Sequence, residues 1–550
     1  MKNNLKLIFL AVLASLICAT SAVGQTQPTA PDNSKYILTP PAPDTPRINS
    51  ARVFGVRPKA EFRYTIAATG IRPMTFSAED LPKGLKLDPE SGIITGVLRK
   101  AGTYHVALRA KNALGEAERD LRIVVGEDIL LTPPMGWNSW NCWGGAVSQE
   151  KVLSSAKAMV DKGLVNYGWT YINIDDGWQG VRGGKYNAIQ PNDKFPDIKG
   201  LVDELHSMGL KAGIYSAPWV ATYQGHIGTQ CDNPEGKYDW VEKGVCDENY
   251  KLKDPKGKLH SGYFRYHGAY SFAEADAKQW ADWGIDYLKY DWNPNDYYYT
   301  KEMADALRAT GRDIALSISG SDPFALAHSW RELTQCWRTT DDIFDTWSSI
   351  MRIGFGPQDR WPAFSGPGHW ADADMLVVGM VGWGPNLHYT RLTPDEQYTH
   401  ISLWSLFSSP MLIGCDIAQM DDFTLSLLCN HEVNDIMQDP LGMRAVPYFR
   451  GDGYVVYVKI LENGNLAVGL FNTSTKPQKI GFTPRTLGLW SKEITIRDVW
   501  RQKDVAKIGP RDRYEEEIAP HGCSLLIVSP PNTLEKIVDK PYVISSRDDM

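Results

Sequence analysis

Residues 286–293 read Asp-Tyr-Leu-Lys-Tyr-Asp-Trp-Asn, and the way this stretch ends decides the fold of the chain. Ile285 to Tyr290 has the make-up of a short buried strand, and it follows a helix-like run, Ala273–Trp283. A strand buried on both faces should be mostly apolar, yet Lys289, Asp291 and Asn293 crowd among aromatics at its C-terminal end. Charges in such a place need partners or a cavity. In a barrel of alternating strands and helices they read as catalytic; the competing reading is a structural ion pair that closes the barrel.

The pattern recurs along the chain. Thr170–Trp178 (TYINIDDGW) ends in Asp175 and Asp176, Trp337–Ile343 (WRTTDDI) carries Arg338 beside Asp341 and Asp342, and Trp370–Val378 (WADADMLVV) carries Asp372 and Asp374. A single acidic cluster often only caps the next helix. Several, each at a candidate strand end and separated by helical runs such as Gln149–Lys162 and Ile198–Met208, predict carboxylates converging on one pocket. Carboxylates with aromatics and one or two cations suit glycoside chemistry, where one acid protonates a leaving oxygen while another attacks or activates water. About eight strand–helix units precede Pro440, the count of a (β/α)₈ TIM barrel.

The remainder of the 550 residues divides around that barrel. Residues 1–24 have Lys2 and Lys6, an apolar run and small residues up to Gly24, which predicts a cleaved signal peptide and a secreted or periplasmic protein. Residues 25–50 are rich in Pro, Thr and Asp and read as a linker. Residues 51–128 alternate in short strands and predict an N-terminal Ig-like β-sandwich, a spacer or docking module with no catalytic cluster. The barrel is assigned 129–443, a C-terminal antiparallel β-domain, again a sandwich, 444–530, and a tail 531–550.

A formal net charge of -7 with no long basic run speaks against a nucleic-acid partner, and no later segment is long and apolar enough for membrane insertion. No CxxC or HxxxH spacing occurs, so neither a metal nor a cofactor is expected. Cys231 and Cys246 flank a polar insertion and are the expected disulfide, if there is one.

Taken in order, Pro134–Trp140 (PMGWNSW), Ile174–Trp178 (IDDGW), Lys211–Ser216 (KAGIYS), Ala281–Asn293, Trp370–Gly379 and Gln438–Gly442 (QDPLG) resemble glycoside hydrolase family 27. Its members are chiefly α-galactosidases and α-N-acetylgalactosaminidases. The resemblance runs from about residue 131 to 530, and Gly84–Asn112 resembles the bacterial Ig-like modules attached to secreted glycosidases. It implies Asp291 as nucleophile and Asp342, rather than Asp341, as general acid/base of a retaining exo-α-galactosidase. It implies that Asp175 and Asp176 bond the 6- and 4-hydroxyls, Lys289 the 3- and 4-hydroxyls, and Arg338 the 2- and 3-hydroxyls. Trp137 would pack on the ring and Asp374 line the pocket. Ser319 falls where α-galactosidases carry a glutamate facing the 2-position, as in N-acetylgalactosaminidases.

Charge gives expectations of its own. Lys289, two residues from Asp291 on the same strand face, should favour the ionised nucleophile, and the neighbouring carboxylates should raise the pKa of Asp342. Of Asp341 and Asp342, adjacent at a strand end, one should face the pocket. An α-N-acetylgalactosaminidase, a β-L-arabinopyranosidase and a non-catalytic carbohydrate-binding protein are the alternative readings.

Overall fold

The computed structural model describes residues 30–238, 264–321 and 323–531. Eight parallel strands form the central sheet: β1 Met135–Asn138, β2 Tyr171–Asn173, β3 Lys211–Ser216, β4 Tyr287–Asp291, β5 Ala315–Ser319, β6 Cys336–Arg338, β7 Trp370–Asp372 and β8 Met411–Ile413. β1 to β7 pair in chain order, β8 pairs with β1, and a bridge from Leu376, beyond the end of β7, to Ile413 of β8 closes the ring. This is a (β/α)₈ barrel, as expected.

The intervening helices are α1 Gln149–Asp161, α2 Ile198–Ser207, α3 Ala273–Trp283, α4 Tyr297–Ala309, α5 Ala327–Leu333, α6 Trp347–Gly354, α7 Pro394–Leu406, α8 Asp422–Leu428 and α9 His431–Met437. Several begin where the sequence supplies an oxygen for the free N–H groups of the first turn. Ser148 caps α1, Asp197 caps α2, Asp296 caps α4 and Thr346 caps α6. Thr393 and Glu396 form a reciprocal capping box on α7. Helix α7 is buried on every side from Glu396 to Leu406. The barrel covers one side, and on the other Ser402 Oγ accepts from Trp500 Nε1 at 2.9 Å and Thr399 Oγ1 donates to the His521 carbonyl at 2.7 Å.

Trp500 and His521 belong to the C-terminal β-domain. Its six-stranded sheet runs in the order Val446–Gly451, Tyr454–Ile460, Leu466–Asn472, Cys523–Ser529, Ile494–Asp498, Lys503–Ile508. The antiparallel pair of Gln478–Phe482 and Tyr514–Ile518 packs on it through Ile480, Phe482 and Ile518. The N-terminal module is a sandwich of a four-stranded sheet (Val53–Val56, Gly115–Val125, Gly102–Asn112, Thr75–Glu79) on a three-stranded one (Glu61–Thr65, Ile93–Val97, Leu85–Leu87). Alternation along its two longest strands turns Val106, Leu108, Ala110, Leu121, Ile123 and Val125 into one core with Phe62 and Ile94.

Both flanking segments are tied to the barrel. The stretch expected as a linker is laid down on the barrel: the Tyr398 hydroxyl of α7 accepts from Leu38 N–H at 3.0 Å and donates to the Tyr36 carbonyl at 2.7 Å, and Thr39 Oγ1 donates to the Ser426 carbonyl at 2.9 Å. Its proline-rich backbone has few N–H groups to offer a sheet, so the Tyr398 side chain of α7 and the Ser426 carbonyl of α8 supply the partners. The Ig-like module, expected as a spacer or docking module, is fastened to the N-terminal face of the barrel. Arg57 N–H donates to Asp313 at 2.9 Å, Glu61 pairs with Arg312 at 2.7 Å, and Lys211 Nζ lies 4.8 Å from the centre of the Phe54 ring.

Candidate active site

The C-terminal strand ends carry the acidic clusters, and the register brings them side by side. Tyr215 of β3 lies opposite Lys289 of β4, Asp291 opposite Ser319 of β5, and Arg338 of β6 opposite Asp372 of β7. β4 itself begins later than its apolar composition suggests and runs through Asp291, which fixes that side chain on the strand.

Lys289 is the hinge of one half of the site. Its Nζ is 2.9 Å from Asp175 Oδ2 and 4.0 Å from Asp291 Oδ2, and burial of all three makes the charges felt. Tyr215, which the sequence reading did not single out, donates its hydroxyl to Asp291 Oδ2 at 3.2 Å. Its signal was present in the register of KAGIYS against DYLKYD, which becomes legible only once the sheet order is known. Asp175 and Asp176 are both buried. Asp175 Oδ1 accepts from Asp176 N–H at 2.8 Å, while Asp176 is held by Thr222 Oγ1 at 2.8 Å and Gln224 N–H at 2.9 Å. Each Asp176 oxygen therefore keeps one further lone pair for a ligand. Burial pushes Asp176 up to about 7.

Arg338 organises the other half. Its NH2 group is 2.9 Å from Asp374 Oδ2 and 3.2 Å from Asp342 Oδ1, and its NH1 group is 3.5 Å from Ser319 Oγ. Asp374 stands behind this arginine rather than lining an open pocket: it is 5% exposed, has a left-handed φ of 79°, and accepts from Ile343 N–H at 2.7 Å. A non-glycine residue in that conformation is held there by its surroundings. Asp374 thus ties Arg338 to the residue next to Asp342.

Three expectations about the site are revised. Asp341 and Asp342 do not alternate on a strand, because β6 stops at Arg338 and both lie in the loop beyond it. They separate by partner instead: Asp342 meets Arg338, and Asp341 meets Arg352 at 3.2 Å and Ser321 Oγ at 3.1 Å. The charge ordering is also reversed. Burial outweighs Lys289 and raises Asp291 to about 6, with the carboxylates of Asp342 and Asp175 adding to the rise. Burial is the largest single influence on Asp342 and raises it, but Arg338 and Lys289, with Arg352 behind them, together outweigh it and lower the carboxyl. Trp137, expected on the sugar face, is fully enclosed and donates its indole N–H to the Cys415 carbonyl at 2.8 Å, so it offers no open face.

Cys231 is a free thiol whose sulfur accepts from Asn233 N–H at 3.4 Å; its expected partner Cys246 lies outside the described residues, as does most of the insertion around it. Among the described residues no three His, Cys, Asp or Glu side chains are grouped to hold a metal ion, and no helix is long and apolar enough to cross a membrane.

Buried carboxylates bridged by a lysine, facing a more exposed carboxylate beside an arginine, can bind a polyhydroxylated ring and deliver both a nucleophile and a proton to it. Comparison with known proteins agrees. The alpha galactosidase A family model matches residues 132–247 and 253–439, the alpha galactosidase C-terminal beta sandwich model matches 451–528, and an Ig domain model matches 27–126. The alpha-galactosidase of Cyamopsis tetragonoloba is 34% identical over 409 residues, 72% of this chain and 86% of that protein. A Bacteroides fragilis crystal structure assigned to the alpha-galactosidases is 34% identical with a TM-score of 0.74, covering 88% of this chain and 98% of that one. A GH27 β-L-arabinopyranosidase from Geobacillus stearothermophilus is 28% identical with a TM-score of 0.61, covering 73% and 97%. Carried by the barrel and the C-terminal sandwich together, this similarity shows that the chain belongs to the alpha-galactosidase A family of glycoside hydrolases, family 27.

Proposed function

We propose that the protein is a retaining exo-α-galactosidase that removes terminal α-D-galactosyl residues from oligo- or polysaccharides. The observation that carries this reading is Lys289 held between Asp175 at 2.9 Å and Asp291 at 4.0 Å. One cation thereby links a hydroxyl-binding carboxylate to the nucleophile. Asp291 attacks the anomeric carbon as the glycosidic C–O bond breaks, and Asp342 gives its proton to the departing oxygen. Asp342 then takes a proton from water, which attacks the same carbon and releases Asp291 with the starting configuration restored. Asp342 reaches its protonated state when a sugar occupies the site: the hydroxyls of the ring draw the Arg338 N–H groups, and the ring excludes water from the carboxyl, both of which raise its pKa.

Retention of Asp175 supports a 6-hydroxyl in the substrate and weighs against an arabinopyranoside, which lacks the 6-hydroxymethyl group. Ser319 gives the α-N-acetylgalactosaminidase reading its one specific support, because it is buried next to Arg338 and replaces a longer acidic side chain. We further propose export, supported by the charged and then apolar residues 1–24, which lie outside the described residues.

Aryl α-galactoside, α-N-acetylgalactosaminide and β-L-arabinopyranoside, assayed side by side with the product anomer followed by NMR, test the reading. We expect α-galactoside to be cleaved fastest with the α anomer released first. Asp291→Asn abolishes turnover, whereas Asp342→Asn keeps activity on aglycones that need no proton. Faster cleavage of the N-acetylgalactosaminide, with the preference reversed by Ser319→Glu, would replace the galactosidase reading.

A further inference from the structure

The seam between the Ig-like module and the N-terminal face of the barrel holds a cavity of about 120 Å³. Its lining includes Asp286, just before β4, whereas Asp291 stands at the far end of that strand. Three carboxylates line the cavity, and each is already met. Glu61 pairs with Arg63 at 2.8 Å and with Arg312 at 2.7 Å. Asp286 has Arg312 at 2.6 Å, the His206 ring at 2.9 Å and the Ala212 N–H at 2.9 Å. Asp313 accepts from the Arg57 N–H at 2.9 Å. The cation left over is Lys211, at the start of β3. Its Nζ lies 4.8 Å from the centre of the Phe54 ring and 5.4 Å from that of Tyr171, and among the described residues it makes no hydrogen bond and no ion pair. Arg63 adds a second unused donor. Its NH1 group bonds the His206 carbonyl at 3.1 Å and its NH2 group bonds Glu61, while its buried Nε meets no acceptor. Phe54, Val56, Ile129 and Leu131 supply an apolar wall.

We propose that this seam is a binding site for a short aliphatic carboxylate, with the carboxyl group facing Lys211 and Arg63 and the hydrocarbon tail on the apolar wall. A carboxylate only accepts hydrogen bonds, which suits two donors that lack acceptors. Charge selects a monoanion. A dianion such as sulfate would bring a second negative charge beside Glu61, Asp286 and Asp313, and a neutral ligand would leave the ammonium without a counter-ion. Size limits the tail. A cavity of roughly 150 Å³ takes up benzene, so this smaller one admits about six non-hydrogen atoms, from acetate to butyrate. The Glu61 side chain, 42% exposed, marks the solvent side by which such a ligand enters. Bound there, the ligand touches module and barrel at once, so it stabilises the docked fold by mass action. The site is separate from the strand ends that carry Asp291, and it stands independently of the galactosidase reading.

The test titrates the full chain with sodium butyrate, with sodium chloride holding ionic strength constant, and follows Tm and the heat of binding. Butyramide, its neutral counterpart, and sodium sulfate are titrated alongside. We expect butyrate to bind saturably at a single site and to raise Tm, and neither butyramide nor sulfate to show saturable binding. Lys211→Met keeps the side chain between the two rings and removes the charge, and it should weaken butyrate by about tenfold or more. Arg63→Lys keeps a cation for Glu61 and removes Nε, so it should weaken butyrate by a smaller factor; it carries the test if Lys211→Met does not fold. No saturable binding by the parent would mean that water fills the seam and would overturn the proposal. So would equal binding of butyramide, or unchanged butyrate affinity in every folded variant. Sulfate or chloride binding as tightly as butyrate would show an adventitious ion only, and would overturn it as well.

Discussion

Lys289 illustrates how one residue sets the behaviour of several. Its ammonium offsets part of the burial that raises Asp291 to about 6, so the acid limb of kcat/KM should report that carboxyl. Lys289→Met removes the largest influence lowering it, and the acid limb should move up by about one pH unit together with a fall in rate. An unmoved limb would assign it to another group. Asp176 gives a stability prediction. Its folded pKa of about 7 lies above the unfolded value of 3.8, so the fold holds a proton that the unfolded chain has lost between those pH values. Its contribution to stability therefore falls as pH rises from about 4 to about 7. Buried His400 and His431, lowered to about 3 and about 4, act in the opposite sense below 6.5. The difference in Tm between Asp176→Asn and the parent isolates the aspartate: it should shift in favour of the variant from pH 4.5 to pH 7.5, and a flat difference would show that Asp176 is ionised throughout.

At the scale of elements, the loop between β6 and α6 decides how Asp342, the proposed acid/base, is presented. Arg352 of α6 bonds the Asp341 carboxylate and the Asp342 carbonyl, each at 3.2 Å, and Ser321 in the loop after β5 holds Asp341 from the other side. These exposed bonds contribute little to stability, but they fix the backbone that carries Asp342. We expect Arg352→Ala to leave Tm within a few degrees and to lower kcat/KM more for poor leaving groups than for good ones, steepening its dependence on aglycone pKa. Equal losses across aglycones would mean that Arg352 acts on binding rather than on proton delivery. Arg338 and Asp374 complete the same element pair from inside the barrel, which is why the loop needs support only on its solvent side.

For the whole molecule, the placement of the N-terminal module is the main consequence of the tertiary fold. Its contacts fall on the starts of barrel strands and on the turns before them, at Thr65 to the Gly209 carbonyl, Glu61 to Arg312 and Arg57 to Asp313, and a cavity of about 120 Å³ lined by Phe54, Tyr64, Lys211 and Asp286 lies in the seam. The proposed reacting groups, Asp291 and Asp342, are at or beyond the other ends of the barrel strands. Deleting residues through Gly126 should therefore lower Tm by several degrees, since it bares the buried Lys211 and Asp286. The kcat of the folded fraction on a small aryl substrate should be retained. Loss of kcat in a fully folded truncation would show coupling along the strands to the active site.

By itself the sequence determined the barrel, the two flanking β-domains and the carboxylates at the strand ends, because strand and helix periodicity and capping residues are local properties. Ala273–Trp283 could be read to the residue for that reason. Four matters were decided only by the tertiary structure: which partner each carboxylate meets, the reversal between Asp291 and Asp342, the enclosure of Trp137, and the docking of the Pro-rich strap on Tyr398. Each depends on depth from solvent and on contacts between residues far apart in the chain. Burial and long-range pairing, unlike periodicity, are fixed only when the elements pack.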